Sequence, residues 1–310
     1  MQVFQNLDHL PEFHKTVFTQ GIFDGVHLGH QKLLEKVVDY TKSIGGNSIL
    51  LTFWPHPRLL LYPEDNDLKL IQTLDEKLKV IESLGIDTVI VLPFTKLLSE
   101  TLPSDYINNF LVNTLNVHTV MVGYDHRFGK NRAGDINVLR QYSSVYNYVV
   151  NEIAAKDIDD ITISSTKIRN AILEGDMEKA NQYLGRQFSF SGIVVKGLQL
   201  GTKLGYPTAN VQINDKNKII PANGVYAVRA LVHDKLLNGM MSIGENPTVE
   251  NKSFSIEVNL FNFNSNIYGK VITVFPIKKI REEKKFENLD ELVQNLQLDK
   301  TYADKILMDN

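Results

Sequence analysis

The apolar runs of this 310-residue chain change character at Gly185, and that change constrains the fold more than any single motif. Before it, short apolar runs alternate with stretches of helical period. Ile49–Phe53, Thr88–Leu92 and Thr119–Val122 are continuous runs of the kind found in strands covered on both faces. Val17-Phe18 ends an earlier strand, and Tyr148-Val149-Val150 reads as the last one. Thr73-Leu74-Asp75-Glu76 matches a capping box, and the helix it opens, carrying Leu78, Val80, Ile81 and Leu84, should stop at Gly85. Ser104 is expected to cap a helix reaching Leu115, and Asp176–Leu184 reads as a short final helix. Strand and helix in this order predict an α/β unit built on a parallel sheet. After Gly185 strand-like runs dominate: Ser189–Val195, Val225–Val232, Phe254–Leu260 and Val271–Phe275, with turn signals at Asn223-Gly224 and Tyr268-Gly269. They predict an antiparallel barrel or sandwich of about six strands, followed by a helix over Leu289–Leu298. The expected domains are therefore 1–186 and 187–310.

Composition removes several classes of function. The formal net charge of −3 lacks the basic footprint of a general nucleic-acid binder. The absence of cysteine excludes disulfides, iron–sulfur clusters, zinc thiolates and thiol catalysis, and suits a cytoplasmic protein. The first nine residues lack the basic start and apolar core of a signal peptide. No apolar run approaches the ~18 residues of a membrane span. Small-molecule ligands are expected, with no nucleic acid, membrane or obligate protein partner implied.

Within the first domain, Gly21-Ile22-Phe23-Asp24-Gly25-Val26-His27-Leu28-Gly29-His30 lies between a strand and a helix whose Leu33, Leu34, Val37 and Val38 share one face. Glycines let the backbone approach a ligand. A helix N-terminus presents unpaired N–H groups and a partial positive charge, which suits phosphate. Three-residue spacing puts both imidazoles on one side of the first turn. Taken alone the pair could be satisfied surface histidines or a metal pair, although zinc would need a third ligand; the glycines and the strand–turn–helix context favour phosphate. This turn, Pro55-His56-Pro57 and Gly123-Tyr124-Asp125 each follow a strand, so all three should line the carboxyl edge of the sheet, where ligands gather. Ser164-Ser165-Thr166-Lys167-Ile168-Arg169 opens another helix. Its hydroxyls are ordinary caps taken alone, but with the Arg169 fork they read as a second phosphate site.

In the second domain, Gly197, Gly201 and Gly205 recur at four-residue spacing ahead of Pro207-Thr208-Ala209-Asn210. A threonine hydroxyl and an asparagine carbonyl are hard oxygen donors suited to Mg²⁺. Alternation in Phe254–Leu260 places Glu257 with Ser255 and Asn259 on the face opposite Ile256 and Val258. From that run alone Glu257 faces water. If its face lines a nucleotide site, it is a candidate base. The mixed run Lys278–Lys285 reads as a solvated surface.

Gly21–His30, Phe53-Trp54-Pro55-His56-Pro57, Val122-Gly123-Tyr124-Asp125-His126-Arg127-Phe128-Gly129-Lys130 and Ser164–Arg169 occur in this order. They are followed by Gly205-Tyr206-Pro207-Thr208-Ala209-Asn210, Asn223-Gly224-Val225-Tyr226, Ile243–Thr248, Glu257, Ile267-Tyr268-Gly269 and Ile280–Phe286. In these segments the chain resembles the bacterial bifunctional riboflavin kinase/FAD synthetase family over nearly its whole length. The resemblance implies a Rossmann-like nucleotidyltransferase domain joining FMN to the AMP part of ATP, giving FAD and pyrophosphate. It further implies a β-barrel kinase domain that phosphorylates riboflavin to FMN with ATP and Mg²⁺. On this resemblance Gly21, Phe23, Gly25, His27 and His30 would line ATP, with Ser164, Ser165, Thr166 and Arg169 holding phosphates from the other side. Pro55, Pro57 and Asp125 would line the flavin. In the kinase, Gly201, Lys203, Gly205, Thr208 and Asn210 would hold ATP, Thr208 and Asn210 would serve the metal, and Glu257 would be the base. Two positions depart from the family pattern: His126 stands where an aromatic residue is usual, and Thr202 where arginine is usual.

Overall fold

The computed structural model describes residues 1–62, 67–153, 163–197, 201, 204–246 and 253–309. The chain packs as two compact units, Met1–Leu68 with Gln72–Ser164, and Lys69–Ile71 with Ser165–Asn310.

The first unit is a parallel sheet of six strands: β1 (Gln2–Phe4), β2 (Thr16–Gln20), β3 (Ser48–Phe53), β4 (Thr88–Leu92), β5 (Val117–Gly123) and β6 (Val149–Ile153). Their spatial order is β1-β4-β3-β2-β5-β6, and every pairing is parallel. Alternate residues of each strand enter opposite layers. Ile49 and Leu51 pack with Phe18, Ile90, Val120 and Phe110 on one face. Leu50 packs with Val17, Val89, Met121, Leu34 and Ile81 on the other. This two-sided burial is why the strands read as unbroken apolar runs rather than alternating ones. β1 lacks such a run and was not expected; it is a three-residue edge strand beside β4.

Helix α1 (Leu28–Ile44) follows β2 and ends at Gly45 in the left-handed region. Short α2 (Pro57–Leu61) follows β3. Helix α3 (Leu74–Ser83) has the expected capping box, with the Thr73 amide donating to Glu76 and the Glu76 amide to Thr73 Oγ1. Helix α4 (Lys96–Ser99) follows β4. Ser104 does not cap the next helix. The cap position is Leu102, and Pro103 starts α5 (Pro103–Asp105), a role for which its fixed φ and missing N–H suit it. The chain then widens into a π-helix over Tyr106–Thr114, where the Leu115 amide reaches back to Phe110 O at 3.1 Å. Helix α6 (Ile136–Tyr146) leads into β6.

In the second unit, α7 (Ser165–Glu174) and α8 (Met177–Leu184) precede a closed antiparallel barrel. Its strands are β7 (Phe190–Val195), β8 (Thr208–Gln212), β9 (Gly224–Val232), β10 (Lys235–Asn246), β11 (Ser253–Leu260) and β12 (Val271–Arg281), ordered β10-β11-β8-β7-β12-β9. Ile168, Ile172, Ala180 and Leu184 of the two helices are buried, and the Ala222 amide donates to Ile172 O. By packing, the units part at Ser164, ahead of the expected boundary at residue 186. The 69–71 strip joins the same unit: Ile219 N donates to Leu70 O, and buried Lys218 donates to Ile71 O and Ser189 O.

Two strands of the barrel are not legible in the sequence. β8 reads as a loop because proline and polar residues obscure it, and β10 carries Gly239 and Gly244 within it. The charged run after Phe275 is not merely solvated surface. β12 continues to Arg281, whose guanidinium makes two bonds, 2.8 and 2.7 Å, to Asp299, itself 2% exposed. Asp299 lies on α9 (Leu289–Met308), a helix longer than expected, whose Ala303 and Leu307 pack on Ala227, Met240 and Ile277 of the barrel.

Candidate functional site

The strand order of the first sheet reverses direction between β2 and β5, because the chain builds β3 and β4 on one side of β2 and β5 and β6 on the other. Ligands of open parallel sheets bind at such switch points. The Gly21–His30 turn leaves β2 at this place, Pro55 and Pro57 follow neighbouring β3, and Asp125 follows β5. The three segments therefore share the carboxyl edge, as their positions after strands predict.

The turn itself is tightly wound. Phe23, Gly25 and Val26 have φ of +50°, +84° and +36°. A β-branched residue such as Val26 is rarely held there, and strain of this kind clusters at functional sites. The Phe23 ring lies against Gly21, where a Cβ would come within 2.8 Å of a ring carbon. Val26 is fully buried, and the Gln31 side chain donates to its carbonyl at 2.7 Å. His27 then takes the N-cap position of α1, its Nδ1 accepting from the His30 amide at 3.4 Å. With Nδ1 an acceptor, the neutral ring carries its proton on Nε2. The His27 and His30 rings stack with centroids 3.6 Å apart, and Phe23 abuts His30 edge-on at 5.1 Å. The sequence placed both imidazoles on one side of the turn; the structure stacks them into a single block. Among the described residues no group of three or more His, Cys, Asp and Glu could hold a metal ion, so the metal-pair reading finds no third ligand.

At the β5 end, Asp125 is exposed and His126 is partly covered. The His126 ring lies nearly parallel to Phe128, centroids 5.8 Å apart. Burial pushes its pKa down to about 4, against the pull of Asp125 and helped by Arg132 and Arg127. It is thus an uncharged flat ring at neutral pH. Ser164 closes the first unit, and Ser165, Thr166 and Arg169 lie in the first turns of α7 in the second.

In the barrel, β8 and β11 are neighbours, with Glu257 opposite Asn210 and Asn259 opposite Thr208. Thr208 Oγ1 donates to Glu257 Oε2 at 2.9 Å, so Glu257 is engaged and partly buried rather than facing open water. Asn259 reaches Pro207 O at 2.7 Å. The preceding loop folds back through bonds from Leu204 N and Tyr206 N to Gly201 O. A Cβ at Gly201 would sit 2.3 Å from Tyr206 O, so only glycine fits there. Thr208, Asn210 and Glu257 form one oxygen-rich patch, in which the Thr208 hydroxyl and the Asn210 amide oxygen are hard donors that fit Mg²⁺. Beside it a cavity of about 210 Å³ has Val194, Val258 and Ile267 in its lining together with polar Asn264, Ser265 and Asn266. Lys203 and Thr202 lie outside the described residues.

Comparison with known proteins gives both halves a family. A model described as FAD synthetase matches residues 10–167, and one described as riboflavin kinase matches residues 184–307. The bifunctional riboflavin kinase/FMN adenylyltransferase of Buchnera aphidicola subsp. Schizaphis graminum is 40% identical over 284 residues, covering 90% of each chain. The protein of the same description from Bacillus subtilis is 36% identical over 294 residues, 93% of this chain and 92% of that one. This chain belongs to the bifunctional riboflavin kinase/FMN adenylyltransferase family. A crystal structure described as a macrolide-efflux protein from Streptococcus pneumoniae is 28% identical, with 97% of each chain covered and a TM-score of 0.88. No described helix of the present chain is long and apolar enough to cross a membrane.

The FAD synthetase region holds two buried polar groups behind its edge that sequence reasoning missed. The Tyr106 hydroxyl, on the π-helix, donates to the side chain of Gln20, the last residue of β2, and burial pushes the Tyr106 pKa well up. Lys77, in α3, is 3% exposed and donates to Ile22 O and Thr52 Oγ1. A signal for Lys77 did exist: it occupies the stripe of Leu74, Leu78 and Ile81, where helical spacing calls for an apolar residue. Tyr106 left no comparable trace, because a tyrosine on a core-facing helix is ordinary.

Proposed function

We infer that the chain makes FMN from riboflavin in its barrel unit and FAD from FMN at the edge of its parallel sheet, with ATP as co-substrate in both. The observation that carries the adenylyl-transfer site is the stacked His27–His30 pair opening α1 at the switch point of the sheet. In this reaction an FMN phosphate oxygen attacks the α-phosphorus of ATP and pyrophosphate leaves. The nucleophile is already ionised, so the protein supplies placement and charge stabilisation rather than a base. The imidazole donors meet the α-phosphoryl oxygens as their charge grows, and the helix N-terminus adds its dipole. Gly21, Phe23 and Gly25 shape the turn around the nucleotide. Ser164, Ser165, Thr166 and Arg169 are assigned to phosphate oxygens on the chemistry of hydroxyls and a guanidinium fork. Pro55, Pro57 and Asp125 take the flavin side, where the neutral His126 ring offers a flat face.

For the kinase step we assign Glu257 as the base. It takes the proton of the riboflavin 5′-hydroxyl as that oxygen attacks the γ-phosphorus and ADP leaves. Thr208 and Asn210 would hold Mg²⁺, which when bound neutralises phosphate charge, and Gly201, Lys203 and Gly205 belong to the ATP loop. The hydroxyl of Thr208 orients Glu257 through the 2.9 Å bond. The cavity beside Thr208 offers aliphatic side chains to the face of a planar ring and the polar groups of Asn264, Ser265 and Asn266 to its edges. The boundary between the activities is proposed at residue 186, and both reactions are placed in the cytoplasm, where ATP is abundant and a chain without cysteine loses nothing. Incubation with riboflavin, ATP and Mg²⁺, followed by chromatography of the flavins, tests the reading. FMN and then FAD are expected; a mixture that stays riboflavin overturns it.

A further inference from the structure

Lys77 is a cation almost fully enclosed at the carboxyl edge of the first sheet. Its ammonium group donates at 3.1 Å to Ile22 O and at 3.1 Å to Thr52 Oγ1. Thr52 Oγ1 in turn donates to Ile22 O at 3.3 Å, and the Trp54 ring lies 5.4 Å from the ammonium. Ile22 belongs to the turn that carries His27 and His30. Thr52 lies at the end of β3 and Trp54 just after it, where the chain runs into Pro55 and Pro57. Burying a lysine is costly: desolvation lowers its pKa from 10.5 to about 8, with Asp24 of the same turn pulling the other way. An apolar side chain would fill the stripe of α3 without that cost. A packing role alone therefore does not account for a charged group here, whereas a tie between two loops does.

We propose that Lys77 is a positioning residue for adenylyl transfer, a tie that fixes the histidine turn against the flavin-side end of β3 so that the FMN oxygen and the α-phosphorus meet in line. The proposal rests on adenylyl transfer taking place at this edge. Each substrate is held by its own loop, so cutting the tie leaves each binding interaction in place. What is lost is their mutual placement, and a misplacement of about 1 Å costs on the order of 10²-fold in rate.

The test uses the full-length chain. Lys77→Met should lower kcat for FAD formation from FMN and ATP by about 30–100-fold, with both KM values within about threefold of wild type. Riboflavin phosphorylation by the same preparation should be unchanged and its Tm no lower. Thr52→Val, which removes the hydroxyl shared by the tie, should lower the same kcat by at least about fivefold. The double variant should be no more than about threefold worse than Lys77→Met, because both changes cut one network. A wild-type kcat in Lys77→Met, or a loss confined to KM, overturns the proposal. So does a fall of Tm and both activities together in Lys77→Met while Thr52→Val is silent. A wild-type chain that makes FMN but no FAD refutes the adenylyl-transfer reading instead.

Discussion

Glu257→Gln separates chemistry from architecture in the barrel unit. The amide keeps the length and shape of the side chain, and its carbonyl still accepts the Thr208 hydroxyl now bonded at 2.9 Å. What changes on that bond is its charge assistance, a difference of about 1 kcal/mol. In a unit of this size that lowers Tm by about 3–4 °C. The amide, however, takes no proton at neutral pH. Loss of a general base costs about 10²–10⁴-fold, or about 3–5 kcal/mol of barrier. The catalytic effect thus exceeds the structural one several-fold, and the variant should be folded and nearly dead as a kinase. The assay follows FMN formation from riboflavin and ATP by chromatography, with FAD formation from supplied FMN in the same preparation as internal control. FMN formation should drop at least about 100-fold while FAD formation stays within about twofold. A kinase rate within about threefold of wild type would refute the reasoning and return Glu257 to the role of a strand residue bonded to Thr208.

Other outcomes follow from the same structure. His30→Ala should lower FAD formation by about 10²–10³-fold and spare the kinase; an equal loss of both activities would point to unfolding, since His30 also packs on His27 and Phe23. His126→Phe should keep FAD formation within about threefold, because the native ring is already neutral at working pH. Its pKa of about 4 lies below the usual 6.5, so between those values the unfolded chain binds more protons than the folded one. Native stability is therefore lost as pH falls from 6.5 toward 4, by up to about 3 kcal/mol from this group. The phenylalanine variant escapes that loss, and its urea midpoint should pull ahead of wild type over this window; a constant offset would show that His126 is not held neutral. Fragments 163–310 and 187–310 should both make FMN and no FAD, but the shorter one should melt at least about 10 °C lower. It lacks α7 and α8, and losing the burial of even two side chains such as Ile168 and Ile172 removes about 3–6 kcal/mol. Equal melting curves, by differential scanning calorimetry, would show that the helices add nothing to the barrel.

Much of this was legible in the residues because the physics behind it is local. A strand buried on both faces must be apolar throughout, and β3, β4 and β5 announce themselves in that way. The capping box of α3 is written in four consecutive residues and was found bonded as written. The placement of His27 and His30 follows from their position between a strand and an amphipathic helix. Elements whose stability comes from partners were harder. β1 has three residues and is defined by its ladder with β4. β8 is a strand because β7 and β11 flank it, and Pro207 and Asn210 disguised it as a turn. The π-helix rests on a register shift that composition does not show, and Pro103 rather than Ser104 opens the helix before it.

The amino-acid order by itself determined the two architectures, their sequence along the chain and the strand-to-helix turn that carries the histidines. These depend on periodicity, caps and turn residues, which act over a few neighbouring positions. Tertiary structure alone decided which side chains became chemical neighbours. Thr208 and Glu257 are 49 positions apart and meet because the barrel closes with β8 beside β11. Lys77 meets Ile22 and Thr52 because α3 covers the sheet at the end of β2 and β3, and Arg281 finds Asp299 because α9 lies on β12. The physical reason is the same in each case. A polar group has no fixed cost until its surroundings are known: in water Lys77 is an ordinary solvated charge. Enclosure removes the water, and only then does the geometry of the remaining partners set the group's proton affinity, its orientation and its use.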